Sequence, residues 1–476
     1  MTSEALLDLI KKVQIERCET QTIEIKAARE GTPKKLYDTL SSFSNQDNGG
    51  VIIFGVDEES GFAAVGVYDA QDLQKKVGEQ CKQMEPEVRP LFTVLEFDGK
   101  MFVSAEIAGI EIEFRPCFYK GVGRLKGAYT RVGDADLVMS EYEVYSYESY
   151  KRKIHDDLNL APRATFADID KDKLDEYLTR LKLAKPRFAG LAYEDILRLQ
   201  GIALDGKPTV AGVMLFGKFP QSFFPQLSVT AMVAVGNDAF EYTGRDERFI
   251  DNRRIEGTIP EMLDETIGFV RRNMKISTVV DRRTGKRADK EEFPLVAIRE
   301  AVLNSLIHRD YSIHTSSSPI RLIIYRNRLE IENPGGLYGR LTVTELGKTA
   351  SDTRNEFIAG IFEILINSEN RFTGVPTIQG AMKEAGLPEP LFENRRGAFK
   401  VTLYNDGAKK ELSKTEQRLL AFCKRSRDRD EIAEFLGVGT TAYITKKYIR
   451  PLIESGRLKL TIPSIPKSPK QQYVSE

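Results

Sequence analysis

Pro294 to Asp310 reads PLVAIREAVLNSLIHRD, a helix-length run in which Glu300, Asn304 and His308 recur at intervals of four within an otherwise apolar pattern. Four residues of α-helix turn through about 400°, so the three polar side chains share a face and step by roughly 40°. Leu295, Ile298, Val302, Leu303 and Leu306 form the buried side. A carboxylate, an amide and an imidazole thus look from a mainly apolar helix into one space, a set that suits a metal and a water. Taken alone, the run reads more readily as a surface helix, with Glu300 and Asn304 solvated and His308 a C-terminal cation favoured by the helix dipole.

The sequence that follows shifts that balance. After a short polar stretch, residues 320–337 read IRLIIYRNRLEIENPGGL, a strand, a tight turn, a second strand and a Gly335-Gly336 loop. Residues 371–386, RFTGVPTIQGAMKEAG, put Thr373 and Gly374 just before a helix, where backbone N–H groups and the dipole receive phosphate.

This ordered set resembles the Bergerat-type ATPases, the superfamily of gyrase, MutL and histidine kinases. Within it, the set is most similar to a divergent module of bacterial proteins known as RecG-like or as ATP-binding transcriptional regulators. The resemblance spans about residues 290 to 405 and implies an α/β sandwich that binds ATP with Mg²⁺. It implies that Glu300 activates water and that Asn304 coordinates the Mg²⁺. It assigns the adenine-reading Asp-x-Gly-x-Gly box to Asn333-Pro334-Gly335-Gly336-Leu337, and Arg354-Asn355 and Glu389-Pro390 also fit the pattern. Two residues depart from the box: Asn333 stands in place of Asp, and Leu337 in place of the last Gly. An amide offers its carbonyl to an adenine amino group without a negative charge.

At 476 residues the chain exceeds a single core and predicts three or four units. Its 41% hydrophobic and 29% charged residues argue against extended disorder. The balance of 70 basic and 70 acidic residues argues against a uniformly basic coat, although a neutral whole can contain a basic domain. Cys18, Cys81, Cys117 and Cys423 are widely spaced and form no C-x-x-C pair, which argues against a zinc site or disulfide scaffold. No apolar run approaches the ~18 residues of a membrane span, and the N-terminus lacks a signal-peptide core. We therefore expect a cytoplasmic protein without a membrane partner.

The N-terminal region, 1–145, opens with an amphipathic helix over residues 3 to 15. ETQTIEIKAA follows with strand alternation, TPKKLYDTLSSFSNQDNGG reads as a helix stopped at Asn48-Gly49-Gly50, and VIIFGVD as a short strand. With GAYTRVGDADLVMSEYEV further on, this order resembles the AlbA-like domain shared with Schlafen proteins. The resemblance implies nucleic-acid binding on an α/β fold. It also implies, by analogy with Schlafen proteins that cleave RNA, a catalytic and metal-binding trio of Glu19, Glu24 and Asp57. Carboxylates suit Mg²⁺ or Mn²⁺, which polarises phosphate and activates water. The alternative is a Glu24–Lys26 surface pair, worth about 0–1 kcal/mol, and an ordinary acidic turn at Asp57. In YKGVGRLKGAYTR, Lys120, Arg124, Lys126 and Arg131 interleave with Tyr129 and glycines, which suits a loop that meets phosphates and stacks on bases, or a hairpin with a basic rim.

Residues 146–165 read as a charged helical connector, and 166–290 as a middle region linked to the ATPase module at 291–406. Within it DKDKLDEYLTRLKLA and YEDILRLQGI read as helices, GVMLFGKFP and LSVTAMVAVG as strands, and NRRIEGTIPEMLDETIGFVRRNM as one long amphipathic helix. The last region, 409–476, orders helix, helix, helix and a Pro-containing hairpin, as in a winged helix-turn-helix, and carries 15 basic against 8 acidic residues. In that geometry Thr440, Thr441, Tyr443 and Thr445 face a DNA groove, Lys446, Lys447 and Arg450 the backbone, and Lys467 and Lys470 lie on the wing. A winged helix used for protein contacts is the alternative.

The expected whole is an α+β multidomain chain: an AlbA-like domain, a Bergerat-type ATPase module and a winged helix. Its expected function is that of an ATP-binding regulator that grips nucleic acid, DNA ahead of RNA, as a homo-oligomer. Two other classes compete: a metal-dependent nuclease gated by the ATPase module, and an assembly protein with a degenerate nucleotide site. Neither a P-loop lysine motif nor a DEAD-type box occurs, so helicase action has no support.

Overall fold

The computed structural model describes residues 1–238, 248–280, 287–348, 352–366, 374–395, 397–405, 414–437, 441–454, 457–462 and 471–475. The chain divides into two compact units. The first joins Met1–Gly109 and Arg131–Asp136 to Lys409–Glu476, and the second holds Ile110–Thr130 and Leu137–Ala408.

In the first unit, Thr2 accepts the Ala5 N–H at 3.2 Å and starts the helix Ser3–Glu16, which buries Leu6, Ile10 and Val13. These pack with Ile23, Ile25, Ile53 and Phe102 of a four-stranded sheet. Its order is Ile23–Lys26, Gly50–Phe54, Lys100–Ile107, Leu91–Phe97. The first pair is parallel and the others antiparallel. A parallel pair needs a crossover, which the helix Tyr37–Ser44 supplies. The helix ends at Ser44, capped at Asn45, before the expected stop at Asn48-Gly49-Gly50; Gly49, at φ +58°, instead leads into the strand, and a Cβ there would lie 2.1 Å from the Ile107 carbonyl oxygen.

The C-terminal part of this unit has a core of its own. The helices Lys414–Phe422 and Arg429–Leu436 precede a third, Thr441–Ile444, which runs through a π-helical turn at Thr445–Ile449 into Arg450–Glu454. The strands Leu458–Leu460 and Tyr473–Ser475 then pair antiparallel. Leu419, Cys423, Ile432, Ile444, Leu452 and Tyr473 are buried together. Gly437, in the left-handed region, closes the second helix.

The second unit is built on a six-stranded mixed sheet ordered Phe249–Ile255, Val229–Ala234, Ile320–Ile324, Arg328–Pro334, Ala398–Tyr404, Leu391–Arg395. Val229–Ala234 and Ile320–Ile324 run parallel, and all other neighbours are antiparallel. Period-two alternation gives the sheet two unlike faces. Leu322, Leu329, Ile331, Val401 and Leu403 share one core with the helices Ile259–Asn273, Leu295–Ile307 and Gly374–Glu384. Between them, strand neighbours form ion pairs: Arg321 with Glu332, and Arg328 and Lys400 with Glu330 at 2.6 and 2.7 Å.

Two expectations for the middle region need correction. GVMLFGKFP lies not in a strand but mostly in the helix Val210–Phe216, all seven residues of which are buried. A seven-residue apolar run carries no usable period. What decides is the Thr209 hydroxyl, which accepts the Gly212 N–H at 3.0 Å and caps the helix. The long helix expected from Asn252 begins only at Ile259, because residues up to Ile255 form an edge strand. Thr258 and Glu261 form a capping box there, and Gly257, at φ +118°, makes the bend. The helix of the expected connector starts earlier, at Glu141, capped by Ser140 with Glu143. Among the described residues no helix is long and apolar enough to cross a membrane.

Candidate functional site

The helix Leu295–Ile307 is apolar nearly all round because it lies in the core among the helices Ile259–Asn273 and Gly374–Glu384 and the sheet. Its one polar face opens on a cavity of 580 Å³ lined by Glu300, Asn304 and His308. Burial raises the Glu300 pKa, opposed by the neighbouring Arg299. His308 caps the helix and is exposed where it lines the cavity. The protein packed around the ring, helped by the positive charge of Arg354, lowers its pKa, which favours the neutral imidazole.

The sheet supplies the opposite wall. Along Arg328–Pro334, the residues Leu329, Ile331 and Asn333 point inward while Glu330 and Glu332 do not. Asn333 is 4% exposed and lines the cavity, and its buried Oδ1 accepts no hydrogen bond among the described residues. Its cross-strand neighbour Phe399 shares this face. Phe392 stacks on Phe399, with centroids 6.4 Å apart and planes 18° apart, so the wall is flat and apolar.

The glycine loop that follows is held from several sides. Gly335 has φ +103°, and a Cβ there would lie 2.6 Å from Asp310 Cβ. The Gly336 N–H donates to the Tyr142 hydroxyl at 3.2 Å and the Leu337 N–H to Asn394 Oδ1 at 3.0 Å. Arg354 is buried in an ion pair with Asp310 at 2.7 Å, donates to the Gly336 carbonyl at 3.3 Å and lies 5.0 Å over the Tyr338 ring. Asn355 donates to the carbonyls of Ile307 and Arg309, both at 2.7 Å, and so caps the cavity helix. The sequence pattern flagged this Arg-Asn pair; that it ties helix to loop is a tertiary fact. Gly374 begins its helix against Asn304, whose Nδ2 would lie 2.6 Å from a Cβ there. Thr373 lies outside the described residues.

The residues fit a nucleotide: an unpaired buried acceptor beside a flat apolar wall, and a helix start against the Asn304 amide. Among the described residues no group of three or more His, Cys, Asp or Glu side chains is arranged to hold a metal ion. A divalent ion beside Asn304 and Glu300 therefore has to draw further oxygens from a bound phosphate and water.

In the first unit, Glu19 and Glu24 come together, but around Arg131. The Arg131 guanidinium lies 2.7 Å from Glu24, 3.1 Å from Asp136 and 3.6 Å from Glu19, donates to the Thr20 and Ile23 carbonyls and sits over the Phe43 ring at 5.2 Å. Glu24, 5% exposed, also binds Lys26, so this pair is not the surface contact it resembles in sequence. Burial pushes the Glu19 carboxyl up to about 7; the Ile25 N–H it accepts opposes the shift and the charge of Glu24 adds to it. Asp57 accepts from Ser60 and from the Glu59 N–H in its own turn. The positive charges beside Glu19 and Glu24 are thus the Arg131 guanidinium and the Lys26 ammonium, and Arg131 is not on an exposed basic rim.

In the second unit Lys120 and Lys126 are exposed, whereas Arg124 pairs with Glu148 and lies 5.3 Å over the Phe118 ring. On the third C-terminal helix, Thr441 is half-buried, Tyr443 is 45% exposed and Arg450 is exposed. The Lys447 ammonium lies 4.9 and 5.4 Å over the Tyr443 and Tyr448 rings. Thr440, Lys467, Lys470 and the side chain of Lys446 lie outside the described residues.

Three family models match parts of the chain. Residues 19–140 match "Schlafen, AlbA_2", residues 147–230 a domain of unknown function (DUF8451), and residues 317–403 "Putative ATP-dependent DNA helicase recG C-terminal". The first and last fall on the two stretches whose residues carried those resemblances, although the last begins after Glu300 and Asn304. No curated protein matches the chain. The crystal structure of the DIP2311 protein from Corynebacterium diphtheriae is similar over 95% of this chain and 93% of that one, at 20% identity and a TM-score of 0.39. The solution structure of the "N-terminal Domain of Putative ATP-dependent DNA Helicase RecG-related Protein" from Nitrosomonas europaea covers 30% of this chain and 97% of its own, at 25% identity and a TM-score of 0.23.

Proposed function

We propose that this chain, in which a Schlafen AlbA_2-like segment precedes one like the recG C-terminal, is an ATP-binding regulator whose nucleotide state controls its hold on nucleic acid. The observation that carries this reading is the cavity that Glu300, Asn304, Asn333, Gly335, Gly336 and Gly374 line together from separate parts of the sequence. In the proposed roles, Asn333 meets the base edge, the Gly335–Gly336 backbone passes close to the nucleotide, and the Gly374 helix start faces phosphate. Asn304 would help to hold Mg²⁺, which would neutralise phosphate charge. Glu300, with its raised pKa, orients and deprotonates a water. This module is read as a divergent Bergerat-type sandwich, and the C-terminal helices and hairpin as a winged helix that meets DNA through Thr441, Tyr443, Lys447 and Arg450.

The nuclease reading has no comparable support, because Arg131 occupies the space between the carboxylates that a metal would bridge. The test is calorimetric titration of the full chain with ATP, with and without Mg²⁺. Asn304→Ala is expected to weaken Mg²⁺-dependent binding by at least about tenfold. Affinity unchanged in this variant overturns the assignment.

A further inference from the structure

We infer that the cavity accepts 6-oxopurine nucleotides as well as 6-aminopurine nucleotides, and that Asn333 sets this breadth; the inference rests on the nucleotide reading above. The two purine classes present opposite edges. Adenine offers an amino donor at position 6 beside an acceptor at N1, and hypoxanthine or guanine an acceptor at O6 beside an N1–H donor. An ionised carboxylate only accepts, so where it faces position 6 it pairs with an amino group and repels O6. A carboxamide has one acceptor and one donor end on the same side chain, and a half-turn about its last torsion exchanges them.

Among the described residues, no hydrogen bond to the Asn333 acceptor holds that torsion. The residue is 4% exposed and lines the cavity, yet its buried Oδ1 has no hydrogen-bond partner among the described residues, so its acceptor end is not fixed by the protein. The same face continues as Phe399, Val401 and Phe392, which line the cavity and bring no side-chain donor or acceptor to select one base edge. A buried amide oxygen without a partner favours a ligand edge that completes its hydrogen bond, and a carboxamide can present either its acceptor or its donor end to that edge.

The experiment measures dissociation constants of the full chain for ATP and for inosine triphosphate in Mg²⁺. The inosine nucleotide has the O6 and N1–H edge without a 2-amino group. Wild type is expected to bind the two within about tenfold of each other, and Asn333→Asp to raise the preference for ATP by at least about tenfold. The ratio is read within one sample, so a loss of folded protein in the variant scales both affinities alike. ATP binding with a wild-type preference beyond about tenfold, or an unchanged ratio in N333D, overturns the inference and leaves the nucleotide reading standing. Binding of neither nucleotide overturns both.

Discussion

Glu300, Asn304 and His308 share one face of one helix, yet the fold assigns them different chemistry. Glu300 is half-buried with its carboxyl pKa raised, as suits a base that takes a proton from water. Glu300→Gln keeps the size and removes the base. Binding of Mg²⁺ and ATP should stay within about twofold, while any turnover should fall by about 10²- to 10⁴-fold; phosphate release under saturating ATP checks this, and unchanged turnover removes Glu300 from the role. His308 behaves in the opposite way to the surface cation that its place at a helix end suggests. Its pKa falls from 6.5 to about 4, so the fold favours the neutral ring. Its contribution to stability is full above pH 6.5 and is lost as pH drops toward 4. The loss of thermal stability between pH 7 and pH 5 should therefore be smaller in His308→Asn than in wild type. Equal losses in both proteins would show that the ring does not titrate with folding.

At the scale of elements, local chemistry decided more than propensity did. The cavity helix is legible because its polar residues recur every four positions in an apolar run, and Asn333 inherits its inward direction from strand period two. The errors share one cause. Val210–Phe216 is uniformly apolar, and only three residues separate the strand Phe249–Ile255 from the next helix, so neither offers a contrast of faces to read. Caps at Thr209 and Thr258 settle both. On the C-terminal helix, Lys447 lies over two tyrosine rings while Arg450 is exposed, one helical turn away. If both meet phosphates, Lys447→Ala with Arg450→Ala should lower the slope of log affinity for duplex DNA against log salt by about 2. An unchanged slope would assign this face to protein contacts.

For the whole molecule, nucleotide control of nucleic-acid binding is a coupling free energy and must be reciprocal. If Mg²⁺ and ATP change the dissociation constant for DNA by some factor, DNA must change that for ATP by the same factor; the coupling is typically 5- to 150-fold, or about 1–3 kcal/mol. Fluorescence titrations in both orders measure it, and affinities independent of the other ligand would remove regulation from the function. What the sequence determined by itself was local: the helix with its polar stripe, the hairpin and glycine loop, the order of N-terminal elements, and the basic C-terminal helices. Each depends on spacing within about a dozen residues, which helix and strand periods convert directly into geometry. What only tertiary structure decided was which charges neutralise which. Arg131 reads as one more basic residue of a Gly-rich loop, and folding buries it against Glu19, Glu24 and Asp136. Asp310 and Arg354, more than forty positions apart, become a buried pair under the glycine loop. Ion pairing in a low-dielectric interior acts between groups that the chain brings together from far apart, so no local pattern records it.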